Sequence, residues 1–348
     1  MKTIEVKNKL IGADNPCFII AEAGVNHNGK LELAKKLVDA AKEAGADAVK
    51  FQTFKSEKIV TPEAEQAKYQ IENIGKKESQ LEMLKRLELF YSDFEKLKKY
   101  CDKKGIIFLS TPHSCTKDVD LVAKLCPAIK VGSGDLTNLP LLKYVAKKKL
   151  PIILSTGMAT LKEVREAVEM ILPINKKLIL LHCTTNYPTA LKEVNLKAML
   201  TMKKEFNLPV GYSDHTLGIL VPIMAVTMGA SIIEKHFTLD KNLPGPDHKA
   251  SLSPEELKEM IRNIRNTEII LGSGAKKPTK SEEKIKKVTR KSIVAKVNIP
   301  VGSKIIRKML AIKRPGTGVE PKNLDRIIGK IARKYITADT LIKFKDLK

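Results

Sequence analysis

Residues 211–247 read GYSDHTLGILVPIMAVTMGASIIEKHFTLDKNLPGPD, and two apolar runs inside this stretch each finish on a histidine. The pattern predicts a strand, a helix, a second strand and a polar loop. With 209–213 and 231–237 as parallel strands, period-two alternation sets Ser213 and His215 on one face, and Ile232, Glu234 and His236 on one face. His215 and His236 then end neighbouring strands at the same edge. Two imidazoles on rigid neighbours, with a carboxylate two residues before one of them, suit an open divalent-metal site with positions left for substrate and water. The same pattern also fits two hydrogen-bonded loop histidines.

The strand-then-helix unit recurs along the chain. Apolar runs at 17–23, 48–51, 106–110, 128–132, 151–156 and 178–184 join the two above to make eight, and most are separated by helix-length segments. Consecutive strands are therefore expected to be parallel and crossed over by helices, which predicts a (β/α)8 TIM barrel. A doubly wound sheet would place a GxGxxG loop after the first strand, and EAGVNHNG is not one. In a barrel the polar candidates all fall at or beyond strand C-termini, the active face of that fold. After Asp247, Ser253 reads as an N-cap and Pro254 as the first residue of a closing helix. The expected organisation is a catalytic barrel over 1–273, a lysine-rich linker over 274–290 and a small, irregular β-rich domain over 291–348.

Composition excludes several classes. At 348 residues the chain is long for one domain. Five cysteines without CxxC spacing read as reduced thiols. No apolar run is long enough to span a bilayer and the first residues lack a signal-peptide pattern, so a cytoplasmic location is expected. The net charge of +24 comes mostly from scattered lysines, with 5% aromatics and no tryptophan. A nucleic-acid reader concentrates arginine and stacking aromatics, so neither nucleic acid nor membrane is an expected partner. The positive excess could instead draw anionic small molecules toward a cleft.

Alternation inside the barrel sharpens the site. Lys50 and Gln52 share a face of AVKFQTF, and Lys130 lies between Ile129 and Val131, so two lysines are expected to point inward. Desolvating an ammonium is costly, so a pair aimed at one cavity implies a bound anion, with hydroxyls of Ser110, Ser133, Ser155 and Ser213 nearby. Internal salt bridges to Glu22 or Glu234 are the competing explanation. A barrel lysine could also form a Schiff base with a carbonyl substrate, as in lysine-dependent aldolases. A divalent ion that already polarises a carbonyl makes an imine redundant. A carbohydrate-binding protein on an inactive barrel is the non-enzymatic reading, which the lysines and histidines oppose.

The runs IAEAGVNHNG, VKFQTF, STPHS, KVGSGD, ILSTGM, LHCTTNYPT, GYSDHTLG, IEKHFT, GPDH and KRPG, in this order over nearly the whole chain, resemble the sialic acid synthase family. The resemblance implies a barrel that condenses phosphoenolpyruvate with N-acetylmannosamine or a related amino sugar, and a C-terminal antifreeze-like (SAF) domain. His215 and His236 match ligands of a divalent metal, usually Mn2+, with Mg2+ or Co2+ as alternatives. Lys50, Lys130, Ser133, Ser155 and Ser213 match positions around the phosphate and carboxylate, with Gln52 beside them. Glu22 and Glu234 match acidic residues near the reacting carbons. Tyr187 and Asp247 match sugar contacts, and Arg314 matches an arginine delivered by the partner's small domain in a swapped homodimer. Two departures stand out: Thr185 displaces the usual asparagine to Asn186, and Asp135 replaces a glutamate. Because animal members that use a phosphorylated sugar also resemble GSGD, the sugar is left open between N-acetylmannosamine, its 6-phosphate and a diacetamido-trideoxyhexose.

Overall fold

The computed structural model describes residues 2–12 and 15–348, which divide into two units at Gly272/Ser273. In the first unit, an antiparallel hairpin of β1 (Ile4–Val6) and β2 (Lys9–Ile11) precedes eight parallel strands. These are β3 (Phe18–Gly24), β4 (Ala48–Thr53), β5 (Ile107–Pro112), β6 (Ile129–Val131), β7 (Ile152–Ser155), β8 (Leu178–Cys183), β9 (Val210–Asp214) and β10 (Ile232–His236). Their order is β5-β4-β3-β10-β9-β8-β7-β6, so the first and last strands of the barrel pair and the sheet is nearly closed, with β5 and β6 as its two ends. All eight expected strands are present.

Helices cover the outside: α1 (Leu31–Ala44), then α2 (Lys68–Ile74) and α3 (Gln80–Lys85) in the long loop after β4, α4 (Tyr91–Lys104), α5 (Thr116–Leu125), α6 (Leu139–Lys147), α7 (Leu161–Ile171), α8 (Lys197–Phe206), α9 (Leu220–Thr227) and α10 (Pro254–Leu271). Each main helix buries one apolar stripe, such as Ala34, Leu37, Val38 and Ala41 of α1, against the outer faces of the strands. The start of α10 is as expected, with Ser253 accepting a hydrogen bond from the Glu256 amide and Pro254 in the first turn. The hairpin packs at the opposite end from the active face. Its Lys9 pairs with Asp47 at 2.9 Å, just ahead of β4. No helix among the described residues is long and apolar enough to cross a membrane.

The second unit has its own core of Ile293, Ile299, Ile305, Leu310, Ile327 and Ile342 among others. Its only two-stranded ladder among the described residues joins β11 (Ser292–Ala295) to β12 (Leu310–Lys313), and isolated bridges organise the rest. The stretch read as a linker is more ordered than expected, because residues 280–289 form α11 (Lys280–Thr289). Thr279 and Glu282 make a capping box there, glutamates fill the first turn and lysines the last, all of which stabilise a short polar helix. A four-residue helix, α12 (Leu324–Ile327), completes the unit.

Candidate active site

All eight barrel strands deliver a side chain to one cavity of about 220 Å³ at their C-terminal ends. Glu22 comes from β3, Lys50 and Gln52 from β4, Thr111 from β5, Lys130 from β6, Ser155 from β7, Cys183 from β8, Ser213 from β9, and Glu234 and His236 from β10. The loops beyond add Tyr69, His113, Ser133, Thr185, Tyr187 and His215. Strand alternation alone produces the inner set, since every second residue of a barrel strand faces the axis. Gly24, at a register shift in β3, sits where a Cβ would stand 3.2 Å from the His236 ring. The missing side chain lets that imidazole pack against the strand.

Both inward lysines are paired. Lys50 Nζ lies 2.8 Å from Glu22 and 3.7 Å from Glu234, and donates to Thr111 Oγ1 at 3.0 Å. Lys130 Nζ donates to Ser155 Oγ at 2.7 Å and lies 3.7 Å from Glu234. The internal salt bridges weighed against an anion site are therefore real, and two ammoniums share two carboxylates. One oxygen of each carboxylate, Glu22 Oε2 and Glu234 Oε2, is buried without a hydrogen-bond partner. Such orphaned acceptors are costly in an interior and mark where a ligand, water or ion completes the site.

The two glutamates differ in proton affinity. Burial raises Glu22 to about 7 against the opposing charge of Lys50, with the neighbouring Glu234 adding to the rise. Burial also penalises the Glu234 carboxylate, but Lys130, Lys50 and the surrounding donors outweigh it, so its pKa is lowered. Lys130 is lowered by desolvation, while Lys50 is raised because Glu22 and Glu234 together overcome its burial.

His215 and His236 stand side by side, with ring centroids 5.7 Å apart. His215 Nδ1 is 2.7 Å from the Thr184 carbonyl, which fixes the proton on that nitrogen and leaves the Nε2 lone pair facing the cavity. Tyr187 OH is 3.0 Å from that Nε2. His236 Nδ1 is buried without a hydrogen-bond partner and lies 3.9 Å from Asp247. Burial lowers both histidines below their ordinary range. Two neutral imidazoles, His236 with an unpartnered nitrogen and His215 with Nε2 held only by the Tyr187 hydroxyl, form a pair of donors that suits a divalent ion. No group of three or more His, Cys, Asp or Glu side chains among the described residues is arranged as a complete protein cage.

The remaining assignments divide. Ser133 borders the cavity, with its Oγ 3.1 Å from Cys183 Sγ and accepting from the Gly157 amide at 3.0 Å. Asp247 stands behind His236 and is raised to about 6 by burial. Asp135 is set back, 4.0 Å from His113. Arg314 is exposed in the second unit, following β12. Ser110 was expected at the barrel mouth but faces away, bonding Thr53 Oγ1 at 2.7 Å and the Phe51 carbonyl at 3.1 Å. Its neighbour Thr111 takes the inward place because the register with β4 pairs Ser110 with Phe51 and Thr111 with the cavity-lining Gln52. Sequence reading missed Thr111, His113 and Tyr69. The first two follow from the same strand-end rule that found Lys50. Tyr69 sits on α2, and nothing local in the sequence announces that this helix returns over the cavity to place its ring 5.3 Å from that of Tyr187.

Residues 37–276 match the model of the NeuB family, and residues 290–348 match the SAF domain. The chain belongs to the NeuB family. It is 49% identical to the N,N'-diacetyllegionaminic acid synthase of Legionella pneumophila, over 97% of this chain and 96% of that protein. With the human N-acetylneuraminate-9-phosphate synthase it shares 36% identity, over 95% of this chain and 93% of that one. Among solved structures, the N-acetylneuraminic acid (sialic acid) synthetase of Leptospira borgpetersenii, crystallised with citrate, superposes with a TM-score of 0.72 at 36% identity. That match covers 82% of this chain and 95% of the other. The resemblance seen in the motifs is thus a family relationship, and this NeuB chain is an enzyme of the sialic acid synthase kind.

Proposed function

We propose that this enzyme condenses phosphoenolpyruvate with a diacetamido-trideoxyhexose, giving a diacetyllegionaminic-type acid and phosphate. The observation that carries the reaction is the convergence of Lys50 and Lys130 with His215 and His236 on one cavity at the strand C-termini. The higher identity to a legionaminic acid synthase supports the sugar. So does charge: Lys50 and Lys130 are the only lysines or arginines among the described barrel residues lining the cavity. Both are strand residues already shared with two glutamates. A sugar phosphate would bring a second dianion near Tyr69 and Tyr187, where the barrel offers no further cation.

Lys50 and Lys130, with Thr111, Ser133, Ser155 and Ser213, hold the phosphate and carboxylate of phosphoenolpyruvate. His215 and His236 hold a divalent ion, Mn2+ by family resemblance, which supplies polarisation of the sugar's aldehyde oxygen when bound. A bond forms from C3 of phosphoenolpyruvate to the aldehyde carbon as its C=O π bond opens to a hydroxyl. Positive charge develops at C2, and water adds there, giving up a proton that balances the new hydroxyl. The C2–O bond to phosphate then breaks as the remaining hydroxyl proton leaves with the phosphate and C2 becomes a ketone. The split in proton affinity assigns the glutamates: Glu234 stays ionised facing the developing charge, and Glu22, poised near neutrality, accepts the water proton. Arg314 of the SAF unit reaches the sugar in a partner's barrel of a swapped dimer, a role that rests on the family resemblance.

The decisive experiment measures phosphate released from phosphoenolpyruvate with each sugar in turn. The diacetamido-trideoxyhexose should give the highest kcat/KM. Turnover only with N-acetylmannosamine or its 6-phosphate would overturn the sugar, and no release with any of them would overturn the reaction.

A further inference from the structure

The third histidine at the cavity, His113, has no part in the scheme above. It follows β5, two residues beyond Thr111, and its main-chain N–H donates to the Thr53 carbonyl at 3.0 Å. That bond locks the loop so that the ring turns into the cavity beside Lys50 and Lys130. On its far side the ring lies against Gly132, where a Cβ would stand 2.9 Å from its Cε1. The seat exists only because that residue is glycine. Nδ1 faces Asp135 at 4.0 Å, beyond hydrogen-bond length. Among the described residues the imidazole makes no hydrogen bond at all, whereas both lysines beside it are partnered.

Burial first, then the charges of Lys50 and Lys130, push His113 down to about 3, so it is neutral at working pH. A neutral imidazole keeps one N–H to donate. Between two ammoniums, the ligand that takes that N–H without repulsion is an anion rich in acceptors.

We infer that His113 is a third anion-binding residue, donating to phosphoenolpyruvate between Lys50 and Lys130. This rests on the phosphoenolpyruvate reading above. The test compares His113→Ala and His113→Gln with the wild-type enzyme, by steady-state kinetics and by calorimetric titration of phosphoenolpyruvate without sugar. Loss of one neutral donor should raise KM and Kd for phosphoenolpyruvate about tenfold in the alanine variant. KM for the sugar and the melting temperature should hold. Because the ring is neutral, the factor should be the same from about pH 6 to about pH 8. Glutamine, which keeps an N–H donor, should recover most of the loss. An unchanged Kd for phosphoenolpyruvate with a raised KM for sugar would assign the ring to the other substrate and overturn the inference. So would a glutamine variant as impaired as alanine at equal stability. A wild-type enzyme that does not bind phosphoenolpyruvate would overturn the proposed reaction itself, a result separable from any defect confined to the variants.

Discussion

Replacing Lys50 by methionine should destabilise the metal-free protein by an amount that grows with pH. Lys50 Nζ is the hub of the floor, 2.8 Å from Glu22 and 3.7 Å from Glu234. Glu22 already titrates at about 7 in the folded chain against an ordinary 4.5. A carboxyl with a raised folded pKa binds more protons folded than unfolded between those values, so stability falls as pH rises through that window. At 1.36 kcal/mol per unit, the wild-type loss is about 3 kcal/mol. Methionine removes the charge that best opposes this rise, which pushes Glu22 higher still. At pH near 5 Glu22 is protonated in both proteins, and the substitution should cost about 1 kcal/mol. At pH near 8 the wild-type Glu22 is ionised while the variant's carboxyl stays protonated, so the cost grows by about 1.4 kcal/mol, to about 2–3 kcal/mol. Urea unfolding at the two pH values in excess chelator reads the difference, and KM for phosphoenolpyruvate at the higher pH should rise in parallel. An equal loss at both pH values would refute the Lys50–Glu22 coupling.

Other consequences are equally direct. Chelation should abolish condensation and Mn2+ restore it, and His215→Ala or His236→Ala should lower metal affinity and activity together with little change in melting temperature; full activity in excess chelator would exclude the ion. Lys235 is fully buried on the helix-facing side of β10, paired with Asp214 at 2.5 Å, so Lys235→Met should cost about 3–5 kcal/mol in urea unfolding. Asp214→Asn added to it should recover part of that loss. Borohydride should trap no substrate adduct on Lys50 or Lys130, and a substrate-dependent mass increase on either would restore the Schiff-base alternative. Mixing Arg314→Ala subunits with Glu22→Ala subunits should return activity in proportion to mixed dimers if the arginine serves the partner's barrel; inactive mixed dimers would show that it does not.

The order of apolar runs was enough to determine eight parallel strands with crossover helices, because each run is short and each intervening segment is long enough for a helix. Period-two alternation likewise pointed Lys50 and Lys130 inward and set Glu234 on the face of His236, whereas Glu22 entered only as a salt-bridge candidate and through the family resemblance. The limit of that rule shows at β5, where the pairing of Phe51 with Ser110 in the ladder sets which of Ser110 and Thr111 looks into the cavity. Lys235 shows another limit: it lies on the face of β10 opposite Glu234 and His236, and only the packing of β9 beside β10 supplies Asp214 as its buried partner. Residues far apart in the chain were decided by tertiary structure alone. Tyr69 reaches the cavity because Asn73 of the same helix donates to the Pro246 carbonyl at 2.6 Å, and His113 reaches it because Gly132, just past the end of β6, makes room. The proton affinities of Glu22 and Glu234 were decided there too, because two identical carboxyl groups separate only when burial and the placement of two ammoniums differ between them.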